Sequence, residues 1–324
     1  MTRSPWLLAA AALLLAACSR TPILPPIAGD AALVELSAVP FFPQSDYQCG
    51  PAALATVLNH AGAAVTPEQL VSAVYLPGRG GSLQVELIAA TRRQGLVPYP
   101  IGGELPGLID ALRGGRPVLV LQNLGTQSWP IWHFAVVIGY DARRDALILR
   151  SGTTQRELTG AHAFARSWGL GGNWGLLVLS PGDLPAAADA ERYLRAVTDM
   201  EGVAPPAALV AAFAAAVERW PDNSWARVGL GNARYEAGDR RGAAAAFAQV
   251  IERHPGLVIA RNNLAHILGE RGCRVAALAL LDTGLAGQAL TEAERAQLHA
   301  TRAEVAAKAA SATADCPDVS GRSK

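Results

Sequence analysis

The sequence lacks an excess of charge of either sign. Its 324 residues include 28 Lys and Arg against 27 Asp and Glu, which gives a net charge of +1 at neutral pH. A nucleic-acid binder neutralises phosphates with a basic surface, so this balance argues against that function. With 51% hydrophobic and only 17% charged residues, the chain is too apolar to remain disordered. Its length predicts about two domains.

Cysteine, aromatic residues and metal-binding patterns are also scarce. Aromatic residues make up 6% of the chain, and there are four cysteines. These are too few for a small disulfide-stapled fold, and neither Cys-x-x-Cys nor His-Glu-x-x-His spacing occurs. We therefore expect no metal and no cofactor. A Gly-x-x-x-x-Gly-Lys-Ser/Thr phosphate loop is absent too, so this chain carries no ATP-driven exporter.

The N-terminal residues have the pattern of an export signal. Arg3 precedes a 12-residue apolar run, Trp6 to Ala17, which is too short to span a bilayer. The run ends in Leu-Ala-Ala-Cys18, which resembles the bacterial lipobox. The resemblance implies removal of residues 1–17 and lipidation of Cys18, and Ser19 favours sorting to the outer membrane. An ordinary secretory signal followed by a chance cysteine is the alternative.

The residues before position 181 predict helices first and strands second. Helices are expected from Cys49 to Ala61, from Thr66 with its following proline, and from Ser82 to Gln94. Short β-branched runs follow, at residues 117–122, 133–140, 146–150 and 174–180. Residues 141–145 look like a hairpin turn, so the sheet is expected to be antiparallel. This is an α+β arrangement.

The second half of the chain repeats with a period of 34 residues. Positions at this spacing carry the same or similar residues: Phe213, Phe247 and Leu281, and the pairs Pro221 and Pro255, Leu230 and Leu264, Gly238 and Gly272, and Ala243 and Ala277. This period is typical of solenoids of helix–turn–helix units. The stretch from Leu230 to Pro255 resembles a tetratricopeptide repeat, which implies about three repeats and a capping helix. A generic alanine-rich helix bundle is the alternative.

Cys49 is the candidate nucleophile. A cysteine at the start of a helix lies at the positive end of the helix dipole, which stabilises the thiolate. Gly50 leaves room for a substrate, and the amide of Gln44 can donate to the oxyanion formed when a thiolate attacks a carbonyl. The candidate base is His133, at the exposed start of an apolar strand. The other five histidines lie in predicted helices or repeats.

The Gln44, Cys49-Gly-Pro-Ala and His133-Phe-Ala-Val-Val-Ile-Gly-Tyr motifs resemble those of papain-like, double-glycine peptidases that process bacteriocin leaders. The resemblance covers residues 37–181. It implies a papain-like fold, a Cys49 nucleophile, a His133 base and Gln44 in the oxyanion hole. In that family an Asp usually follows on the next strand, whereas this chain has Ser151-Gly there. Ser151 can orient the imidazole but stabilises an imidazolium less than a carboxylate does.

The remaining cysteines allow three pairings in an oxidising compartment. Cys273 lies in a repeat turn and Cys316 lies just past the capping helix. A disulfide between them is favoured because it leaves Cys49 free, while a bridge from Cys49 to either would join two domains.

These observations predict an α+β papain-like cysteine peptidase domain followed by an all-α tetratricopeptide solenoid. The expected division is residues 1–17 signal peptide, 18–38 tether, 39–181 peptidase domain, 182–189 linker, 190–310 repeats with capping helix, and 311–324 tail. The protein is expected to be lipid-anchored in a bacterial envelope, facing the periplasm.

The expected reaction is peptide-bond hydrolysis through a Cys49 thioester. The expected partners are a peptide or protein substrate, a protein bound by the repeats and the membrane, but no nucleic acid. Two alternatives stay open: a weak or inactive peptide-binding scaffold, and acyl transfer to an amine.

Overall fold

The structure is a computed structural model, and it describes residues 23–24, 32–44, 48–286, 290–308 and 316. The predicted signal peptide, the lipidation site Cys18, and most of the predicted tether and tail lie outside these residues. The chain divides into two compact units. The first unit comprises residues 1–87 and 100–177, and the second comprises residues 88–99 and 178–324.

Helices and strands alternate in the part before residue 180. The strands are β1 (Leu33–Glu35), β2 (Tyr75–Leu76), β3 (Gly81–Ser82), β4 (Val97–Pro100), β5 (Val118–Asn123), β6 (Trp132–Asp141), β7 (Ala146–Ser151), β8 (Thr154–Gly160) and β9 (Gly175–Leu179). The helices are α1 (Cys49–His60), α2 (Pro67–Val74), α3 (Gln84–Arg93), α4 (Leu105–Arg113) and α5 (Ala161–Leu170).

The sheet of the first unit is antiparallel in its paired strands, as predicted. Its order there is β9-β5-β6-β7-β8, and β1 also pairs with β6. The predicted turn joins β6 to β7, where Asp141 pairs with Ala146 and accepts a hydrogen bond from the Arg143 N–H. The mixed α/β class with an antiparallel sheet is therefore confirmed.

The central strand β6 is covered on both faces. Residues 134–140 are all buried, which explains why the sequence shows a continuous apolar run there instead of alternation. Helix α1 packs against β6, and α5 packs against β5. By contrast, the edge strand β8 is polar and mostly exposed, so apolar patterning did not predict it.

The start of α2 shows how the sequence defines helix boundaries. Thr66 and Gln69 form a reciprocal capping box, and Pro67 occupies the first helical position. The Thr66 N–H donates to Gln69 Oε1 over 2.8 Å. The start of α2 agrees with the prediction, because it is determined by local hydrogen bonds between residues that can be recognised in the sequence.

The described residues after position 189 contain only helices as regular structure. These are α6 (Ala190–Thr198), α7 (Pro206–Arg219), α8 (Ser224–Glu236), α9 (Arg240–Arg253), α10 (Val258–Glu270), α11 (Arg274–Leu285) and α12 (Glu292–Ala307). From α7 onward each helix packs against the next. Within the described chain, no helix has the length and apolar character needed to cross a membrane.

Repeated positions of this helical region occupy similar places. Gly238 and Gly272, which are 34 residues apart, both have positive φ, at 83° and 80°. A Cβ on Gly229 would lie 2.2 Å from the Phe213 ring, and one on Gly231 would lie 2.6 Å from the Phe247 ring. Both glycines lie on α8, so they allow the rings of Phe213 on α7 and Phe247 on α9 to pack directly on its backbone.

The two cysteines of this region form a disulfide. Cys273 and Cys316 are bonded, with their Cα atoms 5.4 Å apart. Cys49 is the free cysteine among the described residues.

We predict that Gly139→Ala destabilises the sheet of the first unit. A Cβ at this position would lie 2.1 Å from the Val34 carbonyl oxygen and 2.9 Å from Glu35 Cα, so β1 would have to move. The expected loss in free energy of unfolding is about 1–3 kcal/mol, measured by urea denaturation. Gly160→Ala is the matched control, since its Cβ would meet no atom within 4 Å. Equal stability of the two variants would contradict the close β1–β6 packing.

Candidate active site

Cys49 begins α1 and so lies at the positive end of the helix dipole, which favours negative charge. The N-cap residue Gln48 makes no side-chain hydrogen bond to the helix end. The cysteine is half-buried and does not form a disulfide.

Gly50 is required by the packing of β3. A Cβ there would lie 2.2 Å from Ser82 Oγ and 2.5 Å from Ser82 Cβ. The sequence analysis assigned this glycine to substrate access, whereas the structure shows that it accommodates Ser82. The Ser82 hydroxyl is itself buried without a hydrogen-bond partner in the described part of the chain. Sequence reasoning missed this residue, because nothing in its pattern distinguishes it from a helix cap.

Cys49 lines a cleft of about 1010 Å³. Its other walls include Trp132 and Phe134, the two chain neighbours of His133. Gly171 closes the far side, where a Cβ would lie 2.2 Å from the Leu121 carbonyl oxygen. The cleft thus brings the start of α1 and the start of β6 to one place.

A narrower cavity joins Cys49 to two of the other predicted site residues, Gln44 and Ser151. Gln44, Cys49, Ser151 and Gly152 all line it. The Gln44 N–H donates to the Gly152 carbonyl over 3.2 Å. Gly152 has a φ of 59°, and a Cβ there would lie 3.5 Å from Gln44 Nε2. The turn between β7 and β8 therefore holds Gln44 on the wall of the cavity that Cys49 also lines.

His133 contacts the residue that stands in for the usual carboxylate. Its Nε2 lies 3.0 Å from Ser151 Oγ. Because this contact occupies Nε2, Nδ1 is the ring nitrogen that is left to exchange a proton with a thiol. Burial lowers the pKa of His133 from its usual value, and the charge of Glu157 acts in the opposite direction. The net effect favours the neutral imidazole, which is the form that acts as a base.

Arg150 is a further residue that sequence reasoning missed. It is buried, and its guanidinium donates to the carbonyls of Ser37 and Val39, the latter over 2.9 Å, as well as to Gln155. Burial lowers its pKa, but an arginine remains protonated in proteins. These bonds hold the segment that leads into Gln44 beside β7. An arginine within an otherwise apolar strand was the signal that could have revealed this role.

In the part of the chain that the structure describes, no group of three or more His, Cys, Asp or Glu side chains could hold a metal ion. The chemistry that the arrangement supports is nucleophilic, because the Cys49 thiol and the Gln44 amide line one cavity with Ser151, whose hydroxyl contacts the His133 imidazole.

Comparison with known proteins gives one family match. Residues 36–173 match the Peptidase C39-like family. A solved structure from Bacillus anthracis, described as a C39-like peptidase, is similar over 45% of this chain and 97% of that chain, with 19% identity and a TM-score of 0.39. No curated protein matches the chain. The family match supports the predicted cysteine peptidase-type domain in this part of the chain.

We predict that Arg150→Met destabilises the first unit by about 1–3 kcal/mol, because it leaves the buried carbonyl of Val39 without this donor. The measurements are urea denaturation and limited proteolysis, with new cleavage expected between residues 37 and 44. Arg144→Met is the control, because that side chain is 69% exposed, and it should change stability by less than about 0.5 kcal/mol. An Arg150→Met variant as stable as the control would show that the guanidinium bonds are dispensable.

Proposed function

We propose that this protein is an envelope-anchored cysteine peptidase that hydrolyses peptide bonds through a thioester at Cys49. The observation that carries the proposal is the cavity that Cys49, Gln44 and Ser151 line together, because His133 Nε2 lies 3.0 Å from the hydroxyl of that serine. The family match over residues 36–173 supports the same reaction class.

The proposed reaction begins with proton transfer from Cys49 Sγ to His133 Nδ1. The thiolate attacks the peptide carbonyl, and the resulting oxyanion accepts hydrogen bonds from Gln44 Nε2 and from N–H groups at the start of α1. His133 then returns the proton to the leaving amine. Water, activated by the same imidazole, hydrolyses the thioester and regenerates the thiol.

The cleft offers a largely apolar wall to the substrate. Pro130, Ile131 and Trp132 line it, and Ile131 and Trp132 are 61% and 55% exposed. Exposed aromatic and aliphatic side chains beside a cleft indicate a binding surface. We infer that an extended peptide lies along this wall with its scissile carbonyl at Cys49.

The helical region is proposed to be a tetratricopeptide solenoid that recruits the substrate or a partner protein. A cavity of about 690 Å³ in this region is lined by Asn232, Tyr235, Asn263 and His266, among others. The two asparagines hydrogen-bond to each other over 3.0 Å. Paired side-chain amides on helices can exchange their mutual bond for bonds to a peptide backbone.

A weak or inactive peptide-binding scaffold is the second candidate function. Ser151 favours it, because a hydroxyl on Nε2 stabilises the imidazolium less than a carboxylate does. The same cleft would then hold a peptide without cleaving it.

We predict that iodoacetamide alkylates Cys49 of the full chain at pH 6 about tenfold faster than it alkylates Cys49 in His133→Ala. An ordinary thiol, with a pKa of about 8.5, is almost fully protonated at this pH. Mass spectrometry locates the label, and reductant is omitted so that the Cys273–Cys316 disulfide stays closed.

The control for this experiment is His299→Ala, which removes an exposed histidine of α12. It should react like the native protein. The peptidase proposal would be contradicted if Cys49 reacted slowly at pH 6, or if its reactivity did not depend on His133. Either result would favour the peptide-binding scaffold.

We predict that Cys18 carries the lipid anchor. Expressed in bacteria, the protein should sediment with membranes and have a mature mass that starts at Cys18 plus lipid, whereas Cys18→Ser should lose both properties. Cys49→Ser is the control and should remain membrane-bound. A native protein found without lipid in the periplasmic fraction would instead indicate an ordinary secretory signal.

A further inference from the structure

The face of the sheet that carries His133 also carries a carboxylate. Glu157 on β8 pairs with Leu149 on β7, which pairs with Val137 on β6. Directly opposed residues present their side chains to the same face, and so do residues two apart on one strand. Val137 and His133 therefore share a face, and Glu157 lies on that face too.

Glu157 and the hydrogen-bond partner of His133 line one polar cavity. Its volume is about 280 Å³, and its lining includes Ser151, Glu157 and Thr159. Thr159 Oγ1 donates to Glu157 Oε1 over 3.0 Å, which orients the carboxylate. Gln122, the register partner of His133, also lines this cavity.

Two charged side chains line this cavity. Glu157 lies on β8 and Arg166 lies on α5. Glu157 raises the pKa of His133 while burial lowers it. The electrostatic effect of this carboxylate thus reaches the imidazole without a direct contact between the two.

We propose that Glu157 is the positioning carboxylate of this site, acting on His133 through the hydroxyl of Ser151. The proposal deepens the peptidase function above and rests on it. In this arrangement His133 Nε2–H donates to Ser151 Oγ, and the Ser151 hydroxyl turns its own proton toward Glu157 across the polar cavity. The only proton that changes its bond is the thiol proton, which passes from Cys49 Sγ to His133 Nδ1.

This arrangement assigns to two residues the role that one carboxylate usually performs. The hydroxyl fixes the direction of the imidazole, and the carboxylate supplies the negative charge that favours an imidazolium. Because the charge acts over a longer distance, its effect should be smaller than that of a carboxylate in direct contact.

The test is the pH profile of Cys49 alkylation in the full chain carrying Glu157→Gln. The glutamine keeps an oxygen that accepts from Thr159 but removes the charge. We expect alkylation at pH 6 to fall by about three- to tenfold and the inflection to move to higher pH, because the thiolate loses part of its partner's charge. At pH 9 the rate should equal that of the native protein. A merely structural role would lower the rate at every pH.

Two variants make the result specific. Glu104→Gln removes an exposed carboxylate at the start of α4 and should leave the profile unchanged. Ser151→Asp, added to Glu157→Gln, should restore reactivity at pH 6 because it places a carboxylate directly at Nε2. If Glu157→Gln does not fold, the Ser151→Ala variant tests the proposal instead. An alkylation profile shifted to higher pH supports the action of Glu157 through Ser151, and an unchanged profile overturns it.

The possible failures can be told apart. If native Cys49 shows His133-dependent reactivity at pH 6 and the Glu157→Gln profile superimposes on it, the inference about Glu157 is overturned and the peptidase proposal stands. If native Cys49 shows no such reactivity, the peptidase proposal fails and Glu157 has no imidazolium to stabilise.

Discussion

The buried guanidinium of Arg150 is the contact on which the site geometry depends. Its hydrogen bonds to Ser37, Val39 and Gln155 tie the segment before Gln44 and the start of β8 to β7. A planar group with five donors can serve several carbonyls at once, which a lysine cannot do. The next residue along the strand is Ser151, and Gly152 then accepts from Gln44. Gln44 and Ser151, the proposed oxyanion donor and the hydrogen-bond partner of His133, are therefore both positioned by one buried cation.

The position of His133 is determined by the buried strand at whose start it lies, and not by the residues next to it in the sequence. The strand behind it is buried on both faces from residue 134 to residue 140, so its first residues cannot shift without disturbing the core. Its side chain is half-buried and meets a hydroxyl. Burial then lowers its pKa, and the neutral base is favoured over a permanent imidazolium. The geometry suits transient proton transfer better than a stable ion pair.

The sequence predicted best what local rules determine. The helix beginning at Cys49, the capped start of α2, the β6–β7 hairpin and the helical nature of the second half all follow from periodicity, caps or turns. It did not predict β8, because an exposed edge strand has no apolar alternation. Nor did it reveal Arg150 or Glu157, whose roles arise from strand register and from carbonyls more than a hundred residues away in the chain. A motif describes residue types within one segment of the chain. Which residues of different segments come into contact depends on how all the strands of the sheet pair.

The electrostatic design of the site is asymmetric. Cys49 lies at the positive end of the α1 dipole, while burial lowers the pKa of His133 and so opposes positive charge on its imidazole. In the proposed reaction the imidazole gains charge only as it takes the thiol proton. A carboxylate in direct contact with the imidazole would hold that charge permanently. A hydroxyl with a more distant carboxylate leaves the imidazolium less stable, so the proton is more readily passed to a leaving amine. Loss of the usual carboxylate therefore need not abolish catalysis, because it weakens proton uptake by His133 while strengthening the imidazolium as an acid.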